Sequence, residues 1–157
     1  HPIVAVDIQD QKLETAKSFG ATFVVNSKQQ DPVAALKQLT GGQGFDVVVD
    51  TTGNTLAFQA AYNSTSNTGK TILAGVLNHE NPITIDPFSM HFGHQVIASH
   101  GGNTWPDVDI PRYLALHERG KLKLSEQITH RFSLDDINQA IEVVRNGEAG
   151  RCIVSMS

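Results

Sequence analysis

Asp7 is the residue whose type and position most directly suggest chemistry. It closes the apolar run Ile3-Val4-Ala5-Val6. A carboxylate at the end of a buried strand can accept hydrogen bonds from both hydroxyls of an adenosine ribose, and it repels a 2′-phosphate. Such a residue selects NAD over NADP. Lys12, one helical turn into the following segment, can reach the same sugar. An ordinary polar strand end is the competing reading of Asp7. Ligands of an open parallel sheet bind beyond the carboxyl ends of its strands. The residues expected there are Asp7-Ile8, Thr51-Thr52-Gly53, Gly75-Val76-Leu77 and Ser99-His100-Gly101. Gly53 and Gly75 let the backbone approach a ligand closely, and a simple tight turn accounts equally well for either one alone.

The elements that must position these residues alternate. Short β-branched runs at residues 3–6, 22–26, 45–50 and 70–75 read as strands buried on both faces. Between them, helices are expected at 10–19, from Asp31-Pro32 to Leu39, and at 56–62. Asp31 supplies an N-cap and Pro32 the first helical position, while Gly20 stands where a helix ends. Strands alternating with helices across short loops imply an α/β, doubly wound parallel sheet of Rossmann-like type, with right-handed crossovers. The second half is less regular. A small strand is expected at 83–85, a helical turn at 87–92 and a strand from Gln95 to Ser99. A helix follows at 107–119, an extended stretch at 126–132, a helix capped by Ser133, and a last strand at 151–156. No repeat, linker or low-complexity stretch interrupts the chain, so residues 1–157 read as a single domain.

Several chemistries are disfavoured. A net charge of −4, with scattered Lys and Arg, argues against nucleic acid as the main partner. No apolar run approaches the length of a membrane span. Cys152 is the lone cysteine, which excludes an internal disulfide and a cysteine zinc cluster and fits a cytoplasmic setting. His91, His94 and His100 lack an H-E-x-x-H pattern or carboxylate partners, so no metal site is expected. Of the histidines, His100 is best placed to meet a ligand. No G-x-S-x-G elbow supports a hydrolase, and no catalytic residue is assigned. Gly41, Gly42 and Gly44 lead from a helix into a strand, the wrong order for a phosphate loop. The G-x-G-x-x-G turn expected about 20 residues before an acid like Asp7 is absent. The chain opens on His1-Pro2 and enters a strand almost at once. It reads as a fragment or processed chain lacking the first β-α unit of the fold.

The segments IVAVDIQDQKLETAKSFGAT, GFDVVVDTTGN, GKTILAGV and LSEQITHRFSLDDINQAIEVVRNGEAGRCIV resemble the C-terminal part of zinc-type medium-chain alcohol dehydrogenases. The similarity covers nearly the whole chain. It implies a cofactor domain that continues into elements packing on a separate catalytic domain. Asp7 then corresponds to the ribose-binding acid and Lys12 to its companion. Thr51, Thr52 and Gly53 correspond to the strand end beneath the cofactor, and Gly75, Val76 and Leu77 to the nicotinamide wall. Ala98, Ser99 and His100 correspond to the strand end that holds the carboxamide. Arg151 corresponds to a basic residue reaching the pyrophosphate. The family's zinc ligands and proton relay would lie in an N-terminal domain outside this chain. Asn54 stands where some members carry a basic residue near the adenine.

The resemblance also implies association as a homodimer or tetramer through the edge strand from Gln95 to Ser99. The parent enzyme would oxidise an alcohol to an aldehyde or ketone, with this chain inactive alone. Two other readings stay open: a non-catalytic nucleotide-binding or dimerisation module, and part of a zinc-free, NADPH-dependent quinone or enoyl reductase. Asp7 speaks against the second of these.

Overall fold

The computed structural model describes residues 2–156. They fall into two compact units, the first ending at Thr104 and the second starting at Trp105. In the first unit, strand β1 (Val4–Asp7) leads to helix α1 (Asp10–Ser18), then β2 (Phe23–Asn26) and α2 (Pro32–Leu39). Strand β3 (Phe45–Asp50), α3 (Thr55–Ser64) and β4 (Thr65–Leu73) follow. A 3₁₀ segment at Pro87–Phe92 and β5 (Gln95–Ala98) complete the set.

β1 pairs with β2, and β3, β4 and β5 pair in that order, every pairing parallel. A Rossmann-type sheet has the order 3-2-1-4-5-6. The described strands supply 3-2 and 4-5-6, and β1 and β3 each keep one edge without a strand partner among the described residues. Val47 and Val49 of β3 and Val6 of β1 are correspondingly exposed for strand residues. The core of this unit is built from Leu13, Val25, Leu36, Phe58, Ala61 and Tyr62.

Local chemistry explains the starts and stops. Asp31 Oδ1 accepts from the Val33 amide at 2.8 Å, and Pro32 opens α2, as its sequence predicts. Asp10, in the first turn of α1, accepts from Asn26 Nδ2 at 2.6 Å and so ties that helix to β2.

Three local expectations change. Residues 83–85 form no strand. The strand expected at 70–75 instead runs from Thr65 to Leu73, taking in Gly69, and the register with β3 shifts there. A Cβ on Gly69 would lie 2.8 Å from the Phe45 carbonyl oxygen, so only glycine admits so close a fold-back. Ser133 does not cap a helix through its side chain. Its hydroxyl donates to Asp136 Oδ2 at 2.6 Å, and a 3₁₀ turn at Leu134–Asp136 intervenes before the helix proper.

The second unit holds α4 (Pro106–Glu118), β6 (Ile128–Ser133), α5 (Ile137–Arg145) and β7 (Arg151–Ser155), with β6 and β7 paired in parallel. Ala140 is buried here, while Ile141 and Val144 of α5 and Ile110, Tyr113 and Leu114 of α4 stay largely exposed. Among the described residues no helix is long and apolar enough to cross a membrane.

Candidate functional site

Asp7 ends β1, half-buried, paired across the sheet with Asn26. Its Oδ1 accepts from the Gln9 amide at 2.9 Å, a turn that orients the carboxylate at the strand end and starts α1. Its Oδ2 has no hydrogen-bond partner among the described residues. One oxygen held by the Gln9 amide leaves the other open to accept from a ligand hydroxyl. Ile8 beside it is exposed, and Lys12 is half-buried with no ionic partner among the described residues.

The ends of β3 and β4 meet directly. The Ala74 and Gly75 amides donate to the Asp50 carbonyl at 2.8 and 2.9 Å. A Cβ on Gly75 would lie 2.3 Å from the Gly53 nitrogen, and one on Gly53 would lie 2.3 Å from the Val76 carbonyl oxygen. The room these glycines leave is taken by each other's loops. Their need for a missing side chain is therefore explained by backbone meeting backbone. Gly53 also has φ +67°, a conformation costly for other residues. Thr51, Thr52 and Val76 are exposed on this shelf, with Val76 at 91% and Leu77 half-buried.

β5 joins the same end. The Ser99 amide donates to the Leu73 carbonyl at 2.8 Å, and Ser99 Oγ accepts from Gly102 at 3.0 Å. His100 is exposed, and its carbonyl accepts from Asn103 at 3.1 Å. The first unit thus brings Thr51, Thr52, Gly53, Gly75, Val76, Ser99 and His100 to the carboxyl ends of one three-stranded sheet. Asp7, Ile8 and Lys12 stand at the corresponding end of β1. Arg151 is exposed on β7 of the second unit.

Asn54 has a structural assignment: its Oδ1 accepts from the Leu56 and Ala57 amides at 2.9 and 3.2 Å, making it the N-cap of α3.

Sequence reasoning passed over Asp50. The residue is 4% exposed, and its Oδ1 accepts from both the amide and the hydroxyl of Thr52, at 3.2 and 2.7 Å. Its Oδ2 is buried without a partner. The signal was available: Val-Val-Val-Asp ends β3 as Val-Ala-Val-Asp ends β1. Also missed was a buried polar cluster around His94 at the opposite, amino ends of the strands.

Among the described residues no three His, Cys, Asp or Glu side chains gather closely enough to hold a metal ion.

A family model described as zinc-binding dehydrogenase matches residues 2–118. Alcohol dehydrogenase 2 of Zea mays is 34% identical over 157 residues, covering 98% of this chain and 41% of the relative. Alcohol dehydrogenase-like 5 of Arabidopsis thaliana is 31% identical, covering 99% of this chain and 41% of the relative. The crystal structure of benzyl alcohol dehydrogenase from Acinetobacter calcoaceticus matches with a TM-score of 0.93 at 30% identity, over 99% of this chain and 43% of that one. The chain therefore spans about two fifths of the length of the relatives it matches. With a family model over most of its length and a Rossmann-like fold, this chain belongs to the zinc-binding dehydrogenases, the zinc-type medium-chain alcohol dehydrogenases, and corresponds to their C-terminal part.

Proposed function

We propose that this chain is the NAD-binding portion of an alcohol dehydrogenase. The half-open carboxylate of Asp7 carries the reading. Oδ1 is held by the Gln9 amide, leaving Oδ2 to accept from a ribose hydroxyl, with Lys12 beside it. A 2′-phosphate would bring its negative charge against this carboxylate, so NAD is favoured over NADP. Thr51, Thr52 and Gly53 support the ribose side of the cofactor, and Gly75, Val76 and Leu77 wall the nicotinamide. Ser99 and His100 hold the carboxamide through backbone groups. Bound there, NAD supplies the hydride acceptor for oxidation of an alcohol to an aldehyde or ketone. The contribution of this chain is to orient and select the cofactor.

The parent protein binds its zinc and its alcohol or carbonyl substrate through residues outside this chain, in the cytoplasm. The exposed apolar side chains of α4 and α5 support docking onto a separate catalytic domain. β5, with β4 as its one described strand partner, supports association with a second copy. The chain alone is inactive and binds NAD weakly, because its sequence holds no G-x-G-x-x-G turn to grip the pyrophosphate.

The test is an amide NMR titration of the 157-residue chain with millimolar NAD and NADP. Shifts at Asp7, Ile8 and Lys12 are expected with NAD and much smaller ones with NADP. Equal responses to both, or a response to NAD that persists in Asp7→Asn, would overturn the assignment.

A further inference from the structure

His94 lies just before β5 and is 4% exposed. Its Nδ1 is 2.9 Å from Ser89 Oγ, and its Nε2 is 2.8 Å from Thr71 Oγ1. Both contacts belong to one unbranched series of links. On one side, Ser89 Oγ is 2.9 Å from Tyr62 Oη, which donates to the Asp86 carbonyl at 2.5 Å. On the other, Thr71 Oγ1 is 2.8 Å from Thr65 Oγ1, which donates to the Ala61 carbonyl at 2.9 Å. The imidazole also stacks on the Tyr62 ring, with centroids 4.3 Å apart. The series therefore fastens the Pro87–Phe92 segment, through Ser89 and Asp86, to α3 and the amino end of β4.

The protons of this series can be counted. It has six links, and both end links terminate on carbonyl oxygens, which only accept. Four hydroxyls bring one proton each. A neutral imidazole adds one, giving five protons for six links. An imidazolium adds two and completes the series, every donor pointing outward from His94. Against that completion stands the burial of a cation with no acid among its hydrogen-bond partners. Asp86, which caps the segment and lines the same cavity as His94, has its Oδ1 engaged by the Phe88 amide at 2.9 Å. Lys37 of α2 lines the same cavity as His94 and repels an imidazolium, while the phenol of Tyr62 is uncharged. His91, the other titratable group of the segment, is exposed. An unpaired buried charge costs more than one hydroxyl link contributes. Burial accordingly lowers the pKa of His94 below the ordinary histidine value of 6.5.

We propose that His94 is an acid-sensitive latch, which when neutral holds the Pro87–Phe92 strap against β4 and when protonated releases it. The strap ends the connection that leaves the strand-end shelf at Leu77, so its release loosens that connection. The sign follows from linkage. With a folded-state pKa below the unfolded one, the latch contributes fully above about 6.5 and is lost as pH falls from there toward the folded value.

The test uses the 157-residue chain. Side-chain NMR should give a His94 titration midpoint below 6.5. Amide exchange at Gly93 and His94, whose amides donate to Met90 and Ser89, should be at least about tenfold faster at pH 5 than at pH 7 after correction for intrinsic rates. His94→Gln, which does not titrate, should show no such difference. A midpoint at or above 6.5, or protection that is unchanged or higher in acid, would show that completing the six links outweighs burial and would overturn the proposal. An acid effect retained in His94→Gln would do the same. If that variant fails to fold, the titration and exchange of the unaltered chain decide.

Discussion

Gly53 and Gly75 meet backbone to backbone, with no room for a Cβ on either: one on Gly75 would fall 2.3 Å from the Gly53 nitrogen. This contact locks the loop after β3 to the loop after β4, and both loops belong to the proposed cofactor shelf. Gly75→Ala must push the two loops apart. A cost of about 1–3 kcal/mol is expected from overpacking against backbone that cannot rotate away. Urea denaturation compares the variant with the unaltered chain. A loss within error would show that the loops yield freely and that the shelf is not rigid.

Asp7 tests cofactor choice most directly in the longer parent protein. Replacing Asp7 with Gly and Ile8 with Arg should move kcat/KM from NAD toward NADP. Losing one charged hydrogen bond corresponds to about 1.5–3 kcal/mol, or roughly ten- to more than a hundredfold in kcat/KM for NAD. An unchanged kcat/KM for NAD would remove Asp7 from the ribose site.

Asp50 and Thr52 form a pair at the end of β3, with Asp50 Oδ1 holding both the amide and hydroxyl of Thr52. Asp50→Ala leaves two donors unsatisfied and should cost about 1–3 kcal/mol. Thr52→Val removes one of the two bonds and should cost less. The double variant should cost less than the sum of the two, because the shared bond is lost once. Strict additivity in chemical denaturation would show that the pair does not act as a unit.

The N-cap of α3 offers a separate check on local structure. Asn54→Ala removes the acceptor for the Leu56 and Ala57 amides and should destabilise the chain by about 1 kcal/mol. Asn54→Asp should retain most of that contribution, since a carboxylate caps equally well and suits the helix N-terminus. If Asn54→Asp lost as much as Asn54→Ala, the cap would not be the source of the effect.

Association through β5 is checked by Ile97→Lys. Ile97 is 40% exposed on a strand with one described neighbour. Sedimentation equilibrium should show a dimer for the unaltered chain and a shift toward monomer for the variant, because a buried lysine at a strand edge opposes pairing. A monomeric unaltered chain, or an equally dimeric variant, would remove β5 as the interface.

Much of the fold is local, and the residues declare it. The β-branched runs ending in Asp7 and Asp50, the Asp31-Pro32 start and the alternation of strand and helix required only neighbours in sequence to be read. The placing of Asp7, Thr52, Gly75 and Ser99 at strand ends follows from the same periodicity. The strand at 83–85 and the Ser133 cap failed because each was a local pattern with a competing partner; the Thr84 carbonyl accepts from Gln59 Nε2 at 3.0 Å instead of joining a ladder. Ser133, for instance, spends its hydroxyl on Asp136 instead of a helix amide.

Tertiary structure decided what depends on two distant segments arriving at one place. The sequence by itself determined that Asp7 ends a strand and that glycines stand at 53 and 75. Only the fold showed that the two glycines accommodate each other. It also decided that Asp50 is buried with an unmatched oxygen, and that Tyr62, Thr71, Ser89 and His94 form one series. The physical reason is that a period of two or 3.6 residues specifies which face a side chain takes, whereas a hydrogen bond between residues 23 positions apart, such as Thr71 to His94, exists only once the sheet has brought them to 2.8 Å.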